Sequence, residues 1–442
     1  RISDRAFRVF KGKARLRGGI LYRKYNFLRF NVIPAFSSEN QRVIRSLRKH
    51  RQRRVLSDLE ENLICPATPL LDERTNFGGY CPDNCGGATG TYMSARYALA
   101  HSVNIPAVKI LNELGLARAA DYLGKMQLNT DEDDLSLALA LGGMRRGFTL
   151  PALADAYAVF ANCGKYAASA TIARVEDDRG RTLYAHSPVQ DRVFSEDTAA
   201  IMNDMLQSAV TEGTAKKLRT LPFPVCAKTG TAEGDKGNTD AYCISYTRDH
   251  TVAVWMGNRD YTPIQATGGG LPANAALRIN KFLYRSTSPS AFAESDDVVK
   301  LRFDKTVYDE QHIVMLADPA APAGTDREEI FRKSAQPVLQ SSFFSCPTIQ
   351  TPAIICQNGC VQIVLCQTEY YDYEIKRVNR GKIATIYSGK YRKNICDNSV
   401  KAGERYVYTV IPKYGEHIGT PIVLPEVCIK EQEKVPEDWW RG

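Results

Sequence analysis

The spacing of apolar residues divides the first part of the chain into a block of helices followed by strands. From about residue 56, apolar positions recur every three or four residues, a period that predicts amphipathic helices. Ser94 suits a helix N-cap, Pro106 a first turn and Gly115 a stop. The predicted helices run from Ser94 to His101, Pro106 to Leu114, Leu150 to Asn162 and the Asp197 region to Val210. Ser102 and Asn104 are thereby placed in a turn between two helices.

After Pro224 the hydrophobic period changes from that of helices to the two-residue period of strands. The predicted strands are Val225 to Ala232, Ala241 to Tyr246 and Thr251 to Met256, with Arg248, Asp249 and His250 as a turn. Helices and strands that are segregated in this way are typical of an α+β fold. We therefore predict a domain over residues 55–287 that consists of an antiparallel sheet flanked by helices.

The last hundred residues show strand and turn patterns throughout. The predicted strands are Ile354 to Leu365, Tyr371 to Val378, Ala384 to Tyr387 and Tyr406 to Ile411. The first of them contains Asn358-Gly359, a typical two-residue hairpin turn. Residues 336–442 are therefore predicted to form a small all-β sandwich. Residues 288–335, which include the Pro- and Ala-rich run from Ala317 to Gly324, are predicted to be a linker.

The formal charge of +9 is concentrated at the start of the chain. Residues 1–54 contain 17 lysines and arginines against only Asp4 and Glu39. Alternating residues on both sides of Gly18-Gly19 predict a hairpin in this basic arm. An arm of this charge suits contact with phospholipid head groups, an anionic wall polymer or nucleic acid, and a merely solvated segment is the alternative. Charge alone does not choose among them.

The overall composition is that of a globular protein. The 442 residues are 44% hydrophobic and 24% charged, which excludes collagen-like, wholly disordered and coiled-coil classes. The sequence has no apolar run of the roughly 18 to 20 residues needed to cross a bilayer, and no secretory signal precedes Arg1. We therefore expect a soluble chain that is a fragment of a longer protein.

Twelve cysteines in 442 residues are too dilute for a disulfide scaffold. Six of them fall in the last hundred residues: Cys346, Cys356, Cys360, Cys366, Cys396 and Cys428. Cys81 and Cys85 have no second cysteine pair or histidine at zinc-ligand spacing, so no metal site is expected. Most cysteines are expected to be small core residues, with a few disulfides only if the compartment is oxidising.

The segment Lys228-Thr229-Gly230-Thr231 is the strongest chemical signal in the predicted strands. Alternation places Lys228 and Gly230 on one side of the strand, with Thr229 and Thr231 on the other. Gly230 would let the backbone of a substrate approach the strand closely. An ordinary surface strand with one lysine is the alternative if nothing else in the chain matches.

A second segment does match. Ser102-Val-Asn104 lies 126 residues before Lys228, and the two segments resemble the second and third motifs of the serine acyltransferases that bind penicillin. The motif set of that family is Ser-x-x-Lys, Ser-x-Asn and Lys-Thr-Gly. Further stretches resemble the transpeptidase domain of class A penicillin-binding proteins, namely Ala98 to Val108, Leu139 to Gly143, Ala156 to Asn162, Glu212 to Thr214 and Asp240 to Gly257. The resemblance covers roughly residues 55–285.

The resemblance implies a role for each matched residue. Lys228, with the hydroxyls of Thr229 and Thr231, would bind the terminal carboxylate of a D-alanyl-D-alanine stem peptide or a β-lactam. The backbone N–H of Thr231 would supply half of an oxyanion hole. Ser102 would relay a proton to the leaving amine, and Asn104 would orient the base and the substrate amide.

The first motif departs from the family. The one Ser-x-x-Lys in the chain is Ser46-Leu-Arg-Lys49, and its separation from Lys228 resembles that of the family. Ser46 would be the nucleophile and Lys49 its base. However, Ile44-Arg45 stands where the family typically has Pro-Gly, and the basic residues 50–54 follow where it has an apolar helix. Because a lysine acts as a base only when it is neutral, we expect an intact carboxylate pocket beside a displaced or poorly packed first motif.

The resemblance as a whole implies a peptidoglycan D,D-transpeptidase that forms cross-links through a serine acyl-enzyme and binds β-lactams, without metal or other cofactor. A catalytically inactive muropeptide or β-lactam binding domain and a D,D-carboxypeptidase are the alternatives. The expected partners are stem peptides and β-lactams, not nucleic acid. The expected location is the periplasm or the outer face of the cytoplasmic membrane. Tyr371 to Arg377 and Gly403 to Val410 resemble a fibronectin type III module.

Overall fold

The computed structural model describes residues 7–11, 60, 63–144, 147–234, 236–258, 262–357, 359–366 and 369–430. Of the hairpin predicted around Gly18-Gly19, the first arm is described as the strand Phe7–Lys11, which pairs with residues 250–254, whereas the turn and the second arm lie outside these residues. The chain divides into two compact units, here called unit 1 and unit 2. Unit 1 takes in the described residues up to Leu301 together with His312–Val314 and Glu328–Pro337. Unit 2 takes in Arg302–Gln311, Met315–Arg327 and the described residues from Val338 onward.

The described residues form seven α-helices. They are α1 (Ala95–His101), α2 (Asn104–Leu114), α3 (Leu116–Lys125), α4 (Leu150–Ala161), α5 (Glu196–Thr211), α6 (Leu271–Leu283) and α7 (Lys305–Gln311). The four predicted helices correspond to α1, α2, α4 and α5, but α2 begins two residues before Pro106, so Asn104 lies in its first turn and not in the preceding loop. The capping residues behave as expected, because the Ser94 hydroxyl accepts the N–H of Tyr97 and Gly115 ends α2. None of the helices in the described residues is long and apolar enough to span a bilayer.

The strands of unit 1 build one main sheet and several short ribbons. In chain order they are β1 (Phe7–Lys11), β2 (Pro69–Leu71), β3 (Tyr92–Ser94), β4 (Lys165–Tyr166), β5 (Arg174–Glu176), β6 (Thr182–Ala185), β7 (Asp191–Arg192), β8 (Cys226–Gly234), β9 (Gly237–Tyr246) and β10 (His250–Gly257). The main sheet has the order β1-β10-β9-β8 and is antiparallel. β2 pairs with β3, β4 with β7, and β5 with β6.

Helices cover both faces of this sheet. On one face Ala273 and Ala276 of α6 pack with Cys243 and Val254. On the other face α4 packs against β9 and β10 through Leu153 and Ala154, while α5 packs against β8. The predicted α+β arrangement of an antiparallel sheet flanked by helices is therefore confirmed. Most residues of β9 and the first residues of β8 are buried, so any polar side chain among them needs a partner.

Residues 288–335, which composition predicts to be a linker, contain regular structure. β11 (Val298–Asp304) and β12 (Asp326–Arg332) form a two-stranded sheet, and α7 lies between them in sequence. In unit 1, Glu329 of β12 accepts hydrogen bonds from Arg96 of α1, and Arg332 Nε lies 2.8 Å from Asp197 Oδ2 at the start of α5. The Pro- and Ala-rich run thus connects two paired strands.

Unit 2 is all-β apart from α7. Its remaining strands are β13 (Ala353–Gln357), β14 (Cys360–Val364), β15 (Asp372–Asn379), β16 (Lys382–Lys390), β17 (Asn394–Asp397), β18 (Arg405–Tyr414), β19 (His417–Ile418), β20 (Ile422–Val423) and β21 (Val427–Cys428). They form a three-stranded sheet, β13-β14-β17, and a sheet built around β16-β15-β18. Gln357 pairs with Cys360, which leaves two residues for the predicted hairpin turn; Asn358 itself lies outside the described residues.

Candidate active site

Strand β8 buries polar side chains where a strand normally carries apolar ones. Lys228 has no exposed surface, and Thr229 is 5% exposed. Lys228 Nζ donates a hydrogen bond to Ser102 Oγ at 2.7 Å and another to the Thr229 carbonyl at 2.9 Å. The structure therefore brings the predicted residues Lys228 and Ser102 together across 126 positions of sequence.

The buried ammonium is chemically unusual. Burial lowers the pKa of Lys228 from 10.5 to about 8, because the charged form has lost its water. Near neutral pH this lysine remains mostly protonated, yet it can release its proton at little cost. Such a group suits both the binding of a carboxylate and the transfer of a proton to its neighbour Ser102.

Ser102 is held at the end of α1 by its backbone. Its φ of 59° lies in the left-handed region, and its N–H donates to the Leu99 carbonyl at 3.2 Å. A non-glycine residue in this conformation costs roughly 1 kcal/mol or more, and such strain is found where structure elsewhere demands it. Here the turn ends α1 and allows α2 to start only two residues later, at Asn104.

Asn104 is oriented by a loop that sequence reasoning did not identify. Its Nδ2 donates to the Asp83 carbonyl at 2.7 Å. Asn84 Oδ1 accepts the backbone N–H groups of Asn104 at 3.0 Å and Ile105 at 3.1 Å. Asn84 thus satisfies free N–H groups in the first turn of α2, as an N-cap residue would. Asn84 lies 20 residues before Asn104, so the sequence around the start of α2 does not identify it as a capping residue.

Asn84 is fixed in turn by a buried carboxylate. Asn84 Nδ2 donates to Asp72 Oδ1 at 2.7 Å, and the Thr89 N–H and hydroxyl donate to Asp72 Oδ2, both at 2.9 Å. Burial alone would raise the pKa of Asp72, but these hydrogen bonds outweigh it and hold the pKa below its usual value. The carboxylate therefore stays charged and anchors the loop that orients Asn104.

Thr229 lies on the opposite side of β8 from Lys228. Lys228 pairs with Ile244 and Thr229 with Cys243, so the two side chains point to different faces, as alternation predicted. The Thr229 hydroxyl donates to Thr214 Oγ1 at 2.6 Å, and the Thr214 N–H donates to the Ala100 carbonyl of α1 at 3.0 Å. This chain of contacts holds the strand against the helix that ends at Ser102.

Gly230 is closely approached by the chain itself. A Cβ built on Gly268 would stand 2.6 Å from the Gly230 carbonyl oxygen and 2.4 Å from that of Tyr242, so only glycine fits there. The Gly268 N–H donates to Thr231 Oγ1 at 3.1 Å. A hydroxyl that accepts this bond keeps its own proton free to donate. The run Gly268-Gly269-Gly270 is the sequence signal for this contact, although the pattern alone does not say what approaches it.

Ser46 and Lys49, the predicted nucleophile and base, lie outside the described residues. Within the ranges that the structure describes, no group of three or more histidine, cysteine or acidic side chains is arranged to hold a metal ion. The site in hand therefore consists of Lys228, Ser102, Asn104 and Thr231 with their supporting contacts.

Comparison with known proteins places this arrangement in a family. The model of the penicillin-binding protein transpeptidase domain matches residues 60–281, half of the chain. Penicillin-binding protein 1F of Bacillus subtilis (strain 168) is 36% identical over 202 residues, which cover 45% of this chain and 28% of that protein. Penicillin-binding protein 1A of Clostridium acetobutylicum is 34% identical over 211 residues, 46% of this chain and 26% of that protein. The chain thus spans less than a third of the length of these relatives.

A solved structure has the same fold. The 2.6 Å crystal structure of penicillin-binding protein 1A from Haemophilus influenzae superposes with a TM-score of 0.53 at 20% identity, over 62% of this chain and 46% of that one. The resemblance of the C-terminal residues to a fibronectin type III module stays a prediction. Residues 60–281, which include every described site residue, match the transpeptidase domain, and the chain belongs to the penicillin-binding protein transpeptidase family.

Proposed function

We propose that this chain is a peptidoglycan D,D-transpeptidase that acts through a serine acyl-enzyme and is acylated by β-lactams. The observation that carries the proposal is the contact between the fully buried Lys228 and Ser102, at 2.7 Å. An ordinary structural lysine keeps its ammonium in water, so burial of this one beside a hydroxyl needs a functional reason.

Substrate binding would use the groups left available on β8. The terminal carboxylate of a stem peptide would accept hydrogen bonds from Lys228 and from the Thr231 hydroxyl, whose acceptor position is already taken by Gly268. The resemblance assigned the Thr229 hydroxyl to the same carboxylate. Since the proton of that hydroxyl is already donated to Thr214, we assign Thr229 to positioning the strand instead. Asn104, with Nδ2 held by Asp83, would present its Oδ1 to the substrate amide.

Acylation would start when a base takes the hydroxyl proton of the nucleophilic serine and the serine oxygen attacks the carbonyl carbon of the penultimate D-alanine, after which the bond to the terminal D-alanine breaks. The Thr231 N–H would stabilise the developing oxyanion. The leaving amine needs a proton, and Ser102 is suited to supply it, because Lys228 donates to Ser102 Oγ and can replace the proton that Ser102 gives up. Lys228 would then return a proton to Ser102. An acceptor amine would release the acyl group in the second step and regenerate the serine.

We assign the nucleophile to Ser46 and its base to Lys49, on the Ser-x-x-Lys motif alone. The first test is incubation of the full chain with a fluorescent penicillin, followed by denaturing electrophoresis, on the wild type, Ser46→Ala and the matched control Ser38→Ala. We expect a covalent band that Ser46→Ala loses and Ser38→Ala keeps. A band that survives in Ser46→Ala would place the nucleophile elsewhere. Reversible binding without any band would favour the inactive binding domain.

The same acyl-enzyme serves a transpeptidase and a carboxypeptidase, so the acceptor decides between them. A donor pentapeptide incubated with an excess of a D-amino acid should yield the amine-exchanged peptide by mass spectrometry. Release of the shortened tetrapeptide alone would favour the D,D-carboxypeptidase.

We further propose that the chain has an extracytoplasmic location. On the basis of its positive charge, we propose that the arm of residues 1–54 contacts an anionic membrane or wall polymer.

A further inference from the structure

Two cysteines of unit 2 lie on neighbouring strands. Cys360 begins β14 and Cys396 lies in β17, and these strands are antiparallel partners in the three-stranded sheet. The register pairs Gln362 with Cys396. Cys360, two residues before Gln362, is therefore a diagonal neighbour of Cys396.

The two thiols share one face of that sheet. Side chains directly opposite each other across antiparallel strands point the same way, and so do residues two apart on one strand. Cys360, Gln362 and Cys396 therefore project together. The burial of these residues agrees with this orientation. Val361 and Ile363, which alternate with Cys360 and Gln362 along β14, are fully buried, whereas Cys396 is exposed and Cys360 is half-buried. Both thiols stand on the solvent side, where a reagent can reach them.

The two thiols interact with each other. Cys360 and Cys396 are hydrogen-bonded through their side chains. The pKa of Cys360 is raised, first by burial and then by Cys396 and the neighbouring Asp397, as expected where a second thiolate would sit beside the first. Both residues are free thiols in the structure.

The other nearby cysteines are worse partners for Cys396. Cys356 is exposed and also raises the pKa of Cys360, but it pairs with Val361 in the register, so it projects from the opposite face of the sheet to Cys360 and Cys396. Cys366 is directed to the Thr351 carbonyl at 3.9 Å. The register therefore selects one pair among the four cysteines of this region.

We propose that Cys360 and Cys396 form a disulfide that joins β14 to β17 when the protein meets a disulfide oxidant. In the first step one cysteine thiolate attacks the oxidant R–S–S–R, which gives a mixed disulfide and releases one RS⁻. In the second step the other thiolate attacks the protein sulfur of the mixed disulfide and releases the second RS⁻. The two cysteines lose two electrons and two protons, and the oxidant becomes two thiols.

Such a bond would close a loop of about 35 residues that contains β15 and β16, and it would stabilise unit 2 mainly by limiting its unfolded state. Because the two cysteines already interact from the same face of neighbouring strands, bond formation requires that their side chains rotate until the two sulfurs meet. The extracytoplasmic location proposed above is a place where disulfides persist, but the pairing itself does not depend on the proposed enzymatic activity.

The test equilibrates the full chain with glutathione disulfide, blocks free thiols with N-ethylmaleimide and maps tryptic peptides by mass spectrometry. Cleavage after Lys393 and Lys401 releases Cys396 on its own short peptide, 394–401. We expect this peptide to be joined to the one that carries Cys360 and to be freed by reduction. The bond should survive in Cys356→Ser and disappear in Cys360→Ser.

A denaturation series provides a second measurement. Reduction should lower the unfolding midpoint of unit 2 in the wild type and leave the Cys360→Ser/Cys396→Ser double variant unchanged. The proposal is overturned if Cys396 is found alkylated or carrying only glutathione in the wild type, or if peptide 394–401 stays cross-linked in Cys360→Ser. A non-reducing gel must show a monomer, because a cross-linked dimer would also contradict an internal bond.

Discussion

Strand β8, which carries candidate site residues, and strand β14 of unit 2 differ in which of their residues are buried. β14 alternates, with Val361 and Ile363 buried and Cys360, Gln362 and Val364 half-buried. In β8 the first four residues are all buried, and two of them, Lys228 and Thr229, are polar. A strand covered on both faces has no water for such groups, so each polar atom must be paired inside the protein. In β8 the buried and paired Lys228 belongs to the candidate site, whereas the regular alternation of β14 belongs to the framework.

The largest expected effect is a loss of stability in unit 2 that leaves the candidate active site unchanged. Asp397 of β17 is 4% exposed and accepts hydrogen bonds from Arg377 at 2.8 Å and Tyr408 at 2.9 Å. Asp397→Ala leaves the Arg377 charge without its partner and should cost unit 2 about 3 kcal/mol of unfolding free energy, as seen in chemical denaturation. The exposed control Glu416→Ala should cost less than about 0.5 kcal/mol. β-Lactam acylation should be the same in both variants, and a large loss in Asp397→Ala would show that the two strands are not separable.

The next largest effect is a loss of acylation rate on substitution of a candidate site residue in β8. Lys228→Ala should slow β-lactam acylation by about 10²-fold, because the substrate carboxylate loses a charge-assisted hydrogen bond in a buried position. Initial labelling rates with a fluorescent penicillin measure this. Lys236, an exposed lysine of the same hairpin, provides the control, and Lys236→Ala should label at the wild-type rate. Equal rates in Lys228→Ala and the wild type would remove the pocket assignment.

A smaller effect comes from the loop that supports Asn104. Asn84→Ala removes the acceptor for two N–H groups in the first turn of α2 and should cost about 1 to 2 kcal/mol of stability in unit 1. It should also lower the acylation rate, since Asn104 loses its fixed orientation. Asn129→Ala, at an exposed position, is the control. A stability loss without any change in acylation would leave Asn84 a purely structural residue.

The smallest effect is a pH dependence that follows from the buried ammonium. The pKa of Lys228 is about 8 in the folded chain and 10.5 in its ordinary state. Between these values the unfolded chain holds a proton that the folded chain has released, so rising pH favours folding. From pH 8 to pH 9 the unfolding free energy of the wild type should rise by about 1 kcal/mol relative to Lys228→Met. Parallel pH profiles of the two proteins would contradict the lowered pKa.

Local patterns predicted the parts of the fold that local physics controls. The ends of α1 and α2 follow from Ser94 and Gly115, and the strands of the main sheet follow from two-residue alternation. The segment Lys228-Thr229-Gly230-Thr231 was identified because its residue types are chemically distinctive. The opposite facing of Lys228 and Thr229 was predicted from the same alternation and is confirmed by the register.

The missed parts depend on contacts between distant segments. Asn84 acts as a cap for a helix that begins 20 residues later, and the partner of Gly230 is the backbone of Gly268. Neither contact produces a periodic pattern of residues from which it could be predicted. The segment 288–335 has the composition of a linker because it contains the Pro- and Ala-rich run that precedes β12. Its composition does not reveal that Glu329 forms hydrogen bonds with Arg96.

The pairing of Arg96 with Glu329 has a consequence for the order in which the protein is made. The two residues are 233 positions apart, which a ribosome covers in roughly ten to fifty seconds. During that interval α1, the helix that ends at Ser102, carries a guanidinium that lacks one of its carboxylate partners. Unit 1 cannot be complete on the nascent chain until β12 has emerged, by which time part of unit 2 has already been synthesised. The helix that Ser102 caps therefore reaches its final surroundings late in synthesis, although it is encoded early.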